Sequence, residues 1–300
     1  MIETPRAFAE STVAREGERG RAWLATLPEL AGELLARWDC EPTDPVTHGQ
    51  VGVVVPVRRR HDGTPAVLKI SFPHPGNVHE PDAFAVWAGR GAVRLHERDD
   101  ARFALLLERA GPGSLADVRD VAQALTAAGL LARRLAVPAP AELPRLSARC
   151  AEWESELRDA DKELGSPLPS RVLDAAIATL RELGPDQPDT LIHGDLHVGN
   201  VLKGEREPWL AIDPKGCAGD PAYDAITLLH HRFGELLTAT DAKAAVLRRL
   251  AVFADAARVD RERARRWTQA RAVTMAYWGR QHGDPSWRIM AADGLADALA

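Results

Sequence analysis

The residues that could do chemistry are concentrated in one stretch, Leu191–Pro214, which reads LIHGDLHVGNVLKGEREPWLAIDP. Asp195 follows an apolar strand, Asn200 comes five residues later, and Asp213 ends a further apolar run. A meander of short strands can bring these three side chains to one point. Phosphoryl transfer needs a carboxylate that orients a hydroxyl and accepts its proton, and it needs hard oxygen ligands for Mg²⁺. The stretch therefore predicts Asp195 as the catalytic base and Asn200 with Asp213 as the metal ligands.

A second unusual residue is Lys69, which lies in the middle of the apolar run Val67–Ile70. An unpaired buried ammonium is costly, so this side chain must reach a counter-ion or a cleft. The alternative is a lysine on the surface of a sheet, where it would need no partner.

The elements that would position these residues change character near residue 109. Before this point, two β-branched runs are joined by a turn that carries Asp62-Gly63, which is a signal of a β-hairpin. Leucines at helical spacing indicate a helix that precedes the hairpin. We expect four strands in this part, at about 51–57, 66–71, 92–97 and 103–108, and two helices, at about 14–38 and 81–88.

After residue 109 the pattern becomes helical. Ser114 and Asp117 have the spacing of a capping box, so we expect a helix from Ser114 to about Leu135. Further helices are expected at about 142–162, 170–183, 221–237, 242–257, 260–281 and 286–298. The change of character predicts an α+β protein with two lobes and a cleft between them. The N-terminal lobe, residues 1–109, would be an antiparallel sheet with helices, and the C-terminal lobe, residues 110–300, would be mainly helical.

The pattern His-x-Asp-x-x-x-x-Asn, followed by Asp213, resembles the catalytic and metal-binding segments of protein kinases. Its form here, His193-Gly-Asp-Leu-His-x-x-Asn200, is similar to that of aminoglycoside phosphotransferases. Four further sequence segments resemble those of the aminoglycoside/hydroxyurea resistance kinases, the streptomycin 6-phosphotransferase group: AVLKIS (66–71), WAGRGAVRL (87–95), LLLERAGPGSL (105–115) and AIDPKGCAGDPAYD (211–224). The resemblance covers about residues 45–235 in the family's order, and it implies a two-lobed protein-kinase-like fold.

The resemblance also implies roles for residues that the local pattern leaves open. Lys69 would contact the α- and β-phosphates of ATP, and a glutamate on the next helix would pair with it. Alignment with the family indicates Glu80, and Glu97 is the competing choice. Backbone groups at the hinge, at Glu108 and Ala110, would meet the edge of the adenine.

The loop that covers the phosphates is expected at Gly49 and Gly52, within the segment His48-Gly-Gln-Val-Gly52. Its backbone amides would lie over the triphosphate. The segment lacks the G-x-G-x-x-G spacing, so a plain turn is an equal alternative.

Several other polar residues have two interpretations. We interpret His193 as a residue that orders its loop, and His197 either as a neighbour of the phosphates or as structural. Asp220-Pro221 has the sequence of an ordinary helix start, although it could also brace the catalytic loop. Two groups would line an acceptor pocket, or would be solvated faces and core aromatics: Trp153, Glu154 and Glu156, and Asp284 to Trp287.

Composition narrows the class of partner. The formal net charge is −5, so the chain lacks the excess of basic residues that is typical of nucleic-acid-binding proteins. This charge favours a cationic or neutral small molecule as the partner. No apolar run reaches the roughly 20 residues of a membrane-spanning helix, and the N-terminus has no secretion signal. Cys40, Cys150 and Cys217 have no metal-ligand spacing. They are expected to be reduced thiols, so we expect a cytoplasmic protein without a membrane partner.

The residues and the resemblance together predict a phosphotransferase that uses ATP and Mg²⁺ and acts on a small-molecule alcohol. The favoured acceptor is an aminoglycoside such as streptomycin, or hydroxyurea. The alternatives are a metabolic kinase for choline, a sugar or homoserine, because this fold serves several alcohols, and a pseudokinase without turnover. A protein kinase is disfavoured, because the helix expected at 221–237 leaves no room for a long activation segment after Asp213.

Overall fold

The computed structural model describes residues 2–225, 235–236 and 239–300. The chain divides into two compact units, Met1–Gly111 and Pro112–Ala300, so the boundary lies two residues after the expected one. The part of the expected helix 221–237 that follows residue 225 lies almost entirely outside the described residues. Its first residues, Pro221–Asp224, form a 3₁₀ turn.

The first unit contains an antiparallel sheet in the order β1-β3-β4-β6-β5, with β2 paired to β3. Its strands are β1 (Cys40–Pro42), β2 (Thr47–His48), β3 (Gly52–Arg59), β4 (Pro65–Ser71), β5 (Leu95–Asp99) and β6 (Ala104–Glu108). The expected hairpin is β3–β4, and in its turn the Asp62 carboxylate accepts the Thr64 N–H at 2.9 Å. Strands β1 and β2 were not expected, because runs of two or three residues carry too little periodicity to detect.

Alternation along β4 decides which side chains enter the core of this unit. Leu68 and Ile70 are buried, whereas Lys69 between them lies on the other face of the sheet. Helix α1 (Arg6–Arg37) supplies the opposite side of the same core through Leu27, Ala31 and Leu34. The sheet therefore leaves the lysine on the face that does not pack against α1.

Helix α1 begins earlier than the expected 14–38 and is interrupted at Gly17, which has φ 61° and ψ −134°. Residues with a side chain rarely adopt this conformation, so the glycine permits the break. Helix α2 (Glu80–Trp87) follows the sheet strand β4 and ends where Ala88 turns left-handed at φ 48°. Its first residue is the glutamate expected to pair with Lys69.

The second unit is mainly helical. Its long helices are α3 (Val121–Leu135), α4 (Leu146–Glu163), α5 (Ser170–Leu183), α6 (Ala242–Ala257), α7 (Arg261–Gln281) and α8 (Ser286–Leu299). The expected helix start at Ser114 is wrong. The capping box of Ser114 and Asp117 is present, but it caps a single 3₁₀ turn, Leu115–Asp117, because Val118 returns to extended backbone. Helix α3 instead begins after Asp120, whose carboxylate accepts the N–H groups of the first turn.

Among the described residues of the second unit, five short strands lie between the helices. They are β7 (Val137–Pro138), β8 (Thr190–Ile192), β9 (Val201–Lys203), β10 (Trp209–Ala211) and β11 (Cys217–Ala218). Strands β9 and β10 form an antiparallel hairpin, and β11, β8 and β7 form a second small sheet. In the part of the chain that the structure describes, no helix has both the length and the apolar character needed to cross a membrane.

Candidate active site

Asp195 lies on the loop between β8 and β9, and backbone bonds fold this loop tightly. The carbonyl of Asp195 accepts the His197 N–H at 2.9 Å and the Asn200 Nδ2–H at 3.0 Å. Gly194, just before the aspartate, has φ 81°, which a residue with a side chain adopts only with strain. These bonds hold the Asp195 side chain and the amide of Asn200 in one compact turn.

His193 orders this loop through hydrogen bonds of its imidazole ring. Its Nε2–H donates to the Ile212 carbonyl at 2.9 Å, so Nδ1 is the acceptor for the Asp195 N–H at 3.2 Å. Burial lowers the pKa of His193 to about 4, so the imidazole is neutral at physiological pH. The geometry agrees with the expected ordering role and not with acid–base catalysis.

Asp224 braces the same loop, a role that no sequence motif had indicated. Its carboxylate accepts the N–H groups of His193 at 3.1 Å and of Gly194 at 2.9 Å. Burial raises the pKa of Asp224 to about 7, although Arg271 and the two N–H donors oppose the shift. The signal in the sequence was an aspartate placed among the small apolar residues of PAYDA.

Asp220, for which a bracing role was considered, points elsewhere. It caps the 3₁₀ turn through the Ala222 N–H at 2.9 Å. Its other oxygen accepts from Trp267 Nε1 at 2.9 Å and from Arg263 Nε at 2.5 Å, both on α7. Asp220 therefore ties its turn to a helix, and Asp224 is the residue that bonds to the loop of Asp195.

The hairpin β9–β10 brings Asn200 and Asp213 to the same end. Val201 pairs with Ala211, and one step further the Ile212 N–H donates to the Asn200 carbonyl at 2.9 Å. Asp213 follows directly, with φ 58° in the left-handed region that side-chain-bearing residues seldom occupy. Strained backbone of this kind is most often retained at functional sites.

Lys215 lies between Asp195, the predicted base, and Asp213, a predicted metal ligand, and no sequence motif had indicated this role. Its Nζ lies 3.7 Å from Asp195 Oδ2 and 3.8 Å from Asp213 Oδ2. The lysine and the two aspartates expose 34%, 32% and 31% of their side chains, so all three can meet a ligand. The two carboxylates predicted to share a site therefore do lie around a common point.

The donor set fits a magnesium ion that is bound together with phosphates. Asn200 uses Nδ2 as a donor, so Oδ1 is the atom with which it would ligate a cation. Mg²⁺ commonly takes only one or two protein oxygens and completes its shell with water and phosphate. Among the described residues, no three or more His, Cys, Asp or Glu side chains form a cage that would hold a metal alone. Asn200 and Asp213 would supply the protein ligands.

The first unit contains the expected lysine–glutamate pair. Lys69 Nζ donates to Glu80 Oε1 at 2.6 Å, and the Glu80 side chain is only 3% exposed. The competing residue, Glu97, is exposed on β5. The pair fixes the ammonium against the sheet, and its contact with phosphates stays a prediction.

Gly49 lies in the tight turn between β2 and β3, and its N–H donates at 2.9 Å to the carbonyl of Gly52, the first residue of β3. A Cβ on Gly52 would lie 2.8 Å from the Ile70 carbonyl oxygen, so this glycine is required by the pairing with β4. A Cβ on Gly49 would meet no atom within 4 Å. The role of the turn as a phosphate cover stays a prediction.

The expected hinge residues lie at the end of the first unit. Glu108 closes β6, with its N–H donating to the Arg94 carbonyl at 2.8 Å and its carboxylate accepting the Arg94 N–H at 2.9 Å. Ala110 follows outside the strand. The side chain of Glu108 is thus occupied within its own unit, and adenine contact by the backbone of Glu108 and Ala110 stays a prediction.

Most of the considered acceptor residues have structural roles. Trp153 is buried and donates from Nε1 to Thr274 Oγ1 at 2.5 Å. Glu154 and Glu156 form ion pairs with arginines on the surface. His197, which was expected to be either a neighbour of the phosphates or structural, accepts the Gly199 N–H of its own loop at 3.0 Å.

Two residues of the other considered group line a cavity. Asp284 and Trp287 border about 440 Å³ of space between α7 and α8, together with the exposed Trp278. Arg288 also lines this cavity, and its guanidinium lies 3.6 Å from the Asp284 carboxylate. The charges of the cavity therefore largely offset each other.

Comparison with known proteins gives similarity over nearly the whole chain. The family model for aminoglycoside/hydroxyurea antibiotic resistance kinases matches residues 37–283. Streptomycin 6-kinase of Streptomyces glaucescens is 38% identical, with 100% of this chain and 97% of the relative covered. Hydroxyurea phosphotransferase of Kitasatospora aureofaciens is 39% identical, with 95% and 82% covered.

Solved structures agree on the fold. Aminoglycoside phosphotransferase APH(4)-Ia, in a ternary complex with ADP and hygromycin B, matches with a TM-score of 0.57 at 14% identity, covering 89% of this chain and 97% of the other. Choline kinase LicA from Streptococcus pneumoniae matches with a TM-score of 0.57 at 10% identity, covering 92% and 99%. At these identities the likeness establishes the fold alone. It confirms the expected protein-kinase-like α+β architecture.

Proposed function

Since the chain belongs to the aminoglycoside/hydroxyurea antibiotic resistance kinase family, it is a phosphotransferase that acts on a hydroxyl group, and we propose streptomycin or hydroxyurea as its acceptor. The γ-phosphoryl group of ATP is the group transferred. The observation that carries the proposal is the convergence of the Asp195 and Asp213 carboxylates on one ammonium, at 3.7 and 3.8 Å. This convergence supports the proposal, because phosphoryl transfer requires a base close to the metal-bound phosphates.

Asp195 orients the acceptor hydroxyl and takes its proton. General-base assistance of this kind is typically worth about 10²–10⁴ in rate. Asn200 and Asp213 would hold a magnesium ion, which would neutralise charge on the phosphate oxygens. His193 and Asp224 keep the base in position through the backbone of its loop, because each bonds to that backbone and neither side chain is exposed.

In the first unit, Lys69 binds the α- and β-phosphates, and Glu80 holds its ammonium in place. The pair at 2.6 Å supports this assignment, because a nearly buried carboxylate needs a cation and fixes its position. The turn at Gly49 and Gly52 covers the triphosphate, and the backbone of Glu108 and Ala110 meets the adenine.

Among acceptors, the 6-hydroxyl of streptomycin comes first. Two curated relatives, from Streptomyces glaucescens and Streptomyces griseus, carry the name streptomycin 6-kinase at 38% and 37% identity. The net charge of −5 is compatible with a cationic acceptor of this kind. Hydroxyurea comes second, on the strength of the hydroxyurea phosphotransferase at 39% identity.

The proposal is tested with the purified chain, Mg-ATP and a panel of single acceptors: streptomycin, hydroxyurea, choline and homoserine. ADP release is followed by a coupled assay, and mass spectrometry detects the phosphorylated product. We expect acceptor-dependent ADP release with streptomycin or hydroxyurea, and phosphorus–proton correlation NMR of a streptomycin product should assign the phosphate to the 6-position.

Two results would contradict the proposal. Phosphorylation of choline or homoserine alone would make the chain a metabolic kinase. Nucleotide binding without a phosphorylated product from any acceptor would make it a pseudokinase. A reaction without acceptor measures the background ATP hydrolysis that must be subtracted.

A further inference from the structure

We infer that Lys215 is a catalytic residue whose ammonium contacts the γ-phosphoryl group while this group passes from ATP to the acceptor. The inference rests on the function proposed above. It concerns a side chain whose ammonium faces the Asp195 and Asp213 carboxylates.

The position of the ammonium is the first argument. Nζ lies 3.7 Å from the Asp195 carboxylate and 3.8 Å from the Asp213 carboxylate. A direct charge-assisted hydrogen bond has a donor–acceptor distance of about 2.7–2.9 Å, and both separations are longer than this. By contrast, Lys69 Nζ lies 2.6 Å from its glutamate. Lys215 is therefore attracted to both carboxylates without being committed to either.

The backbone of Lys215 is fixed, which is the second argument. Its N–H donates to the His193 carbonyl at 2.8 Å, and its Cβ lies close to Gly194, where an added Cβ would come within 3.0 Å. The loop that carries Asp195 and the segment that carries Lys215 thus pack backbone against backbone. A fixed stem with a partly exposed tip lets Nζ shift toward a ligand without any rearrangement of the loop.

The geometry of the reaction is the third argument. The attacking oxygen, the phosphorus and the leaving oxygen lie roughly in line, and charge spreads over the three equatorial oxygens of the phosphoryl group. Asp195 is at the attacking oxygen and Asp213 is on the phosphate side. A cation placed between these two residues is therefore placed beside the group that is transferred. An ammonium has three donors, so it can contact a phosphoryl oxygen and still face a carboxylate.

The step balances without any further reactant. A bond forms between the acceptor oxygen and the γ-phosphorus, and the bond from that phosphorus to the β–γ bridging oxygen breaks. The hydroxyl proton passes to Asp195, and the electron pair of the broken bond stays on ADP. Lys215 keeps its proton throughout and lowers the barrier by stabilising negative charge on the equatorial oxygens.

A competing explanation is that the ammonium only fills the position that the metal would take. In that case the Lys215 ammonium would move away when Mg-ATP binds, and a substitution that removes the ammonium would strengthen metal binding. The two explanations predict opposite results for a neutral variant, so they can be separated.

The test uses the full chain with Lys215→Met, Lys215→Arg and, as a control, Lys203→Met, which removes an exposed lysine of β9 from the same unit. We expect Lys215→Met to lower kcat by about 10²–10³, the usual effect of removing one donor to a transition-state oxyanion. Lys215→Arg should recover part of this loss. Lys203→Met should keep kcat.

A second readout does not depend on turnover. The affinity for Mn²⁺ with the non-hydrolysable analogue AMP-PNP is measured by electron paramagnetic resonance, and thermal melting checks that each variant folds. We expect Lys215→Met to bind Mn²⁺–AMP-PNP with no more than about a threefold change, because a group that acts in the transition state adds little to ground-state binding.

Tighter Mn²⁺–AMP-PNP binding with unchanged kcat in Lys215→Met would overturn the inference in favour of the space-filling explanation. If Lys215→Met did not fold, Lys215→Gln would replace it in both measurements with the same expected loss of kcat, and a kcat equal to that of the wild type in Lys215→Gln would overturn the inference. A wild-type chain that phosphorylates no acceptor would instead contradict the proposed function.

Discussion

Lys69 on β4 and Glu80 at the first residue of α2 form an ion pair in which Nζ and Oε1 lie 2.6 Å apart and the glutamate is nearly buried. The strand places the lysine on the face of the sheet opposite Leu68 and Ile70, and the helix start brings the carboxylate to it. This relationship connects the local structure of the first unit to the proposed binding of phosphates.

The pair can be tested by neutralising its glutamate. Glu80→Gln should weaken AMP-PNP affinity, measured by titration calorimetry, because the ammonium of Lys69 loses the charge that holds it. It should also lower the free energy of unfolding by about 1–3 kcal/mol, since a buried charged hydrogen bond is lost. Glu97→Gln, on the exposed side of β5, is the matched control and should change neither quantity. Equal effects of the two substitutions would refute the assignment.

Gly52 and Gly49 should respond differently to the same substitution. Gly52→Ala places a Cβ 2.8 Å from the Ile70 carbonyl oxygen, so the β3–β4 pairing must shift. Overpacking of this kind typically costs about 1–3 kcal/mol. Gly49→Ala meets open space and should stay within about 0.5 kcal/mol of the wild type. Chemical denaturation of both variants checks this, and a more destabilising Gly49→Ala would contradict the account.

At position 224, the loss of the hydrogen-bond acceptors should reduce stability more than the loss of the negative charge. Asp224→Ala leaves the N–H groups of His193 and Gly194 without their acceptor, which at about 1–3 kcal/mol for each should strongly destabilise the fold and lower kcat. Asp224→Asn keeps one acceptor and resembles the protonated acid, which the pKa of about 7 makes abundant at neutral pH. Chemical denaturation should therefore give a much lower free energy of unfolding for Asp224→Ala than for Asp224→Asn. The reverse order would show that the loop does not depend on this brace.

His193 makes stability depend on pH in a defined direction. Its folded pKa of about 4 lies below its ordinary value of 6.5, so its contribution is full above pH 6.5 and is lost as pH falls toward 4. The wild type should lose about 3 kcal/mol more than His193→Gln over this range, at 1.36 kcal/mol for each pKa unit. Asp224 titrates in the same range with the opposite sign, so the quantity to plot is the difference between wild type and variant. A difference that does not change with pH would contradict the burial of a neutral imidazole.

Much of the fold followed from the sequence because its signals are local. Strands β3 and β4, their turn at Asp62-Gly63 and most of the long helices depend on alternation, helical spacing and turn chemistry within short windows. The start of α3 was misplaced because two capping sites, at Ser114 and Asp120, lie close together. Only the backbone between them decides which one begins the longer helix.

The candidate site was predictable where its residues share one stretch of chain. Asp195, Asn200 and Asp213 stand within a single meander, so their order and spacing, together with the resemblance to a kinase family, predicted that they share a site. Asp224 and Lys215 were missed for the opposite reason, because their partners are backbone amides and two carboxylates whose positions depend on how the loop folds. No sequence window contains that information.

The most direct test of the proposed chemistry is the turnover of Asp195→Asn with Mg-ATP and the acceptor that the wild type phosphorylates, measured beside its affinity for Mg-AMP-PNP. The substitution keeps the shape of the side chain and removes the base. The account predicts a fall in kcat of at least about a hundredfold with nucleotide affinity unchanged, since general-base assistance is worth about 10²–10⁴. Near wild-type turnover in Asp195→Asn would contradict it.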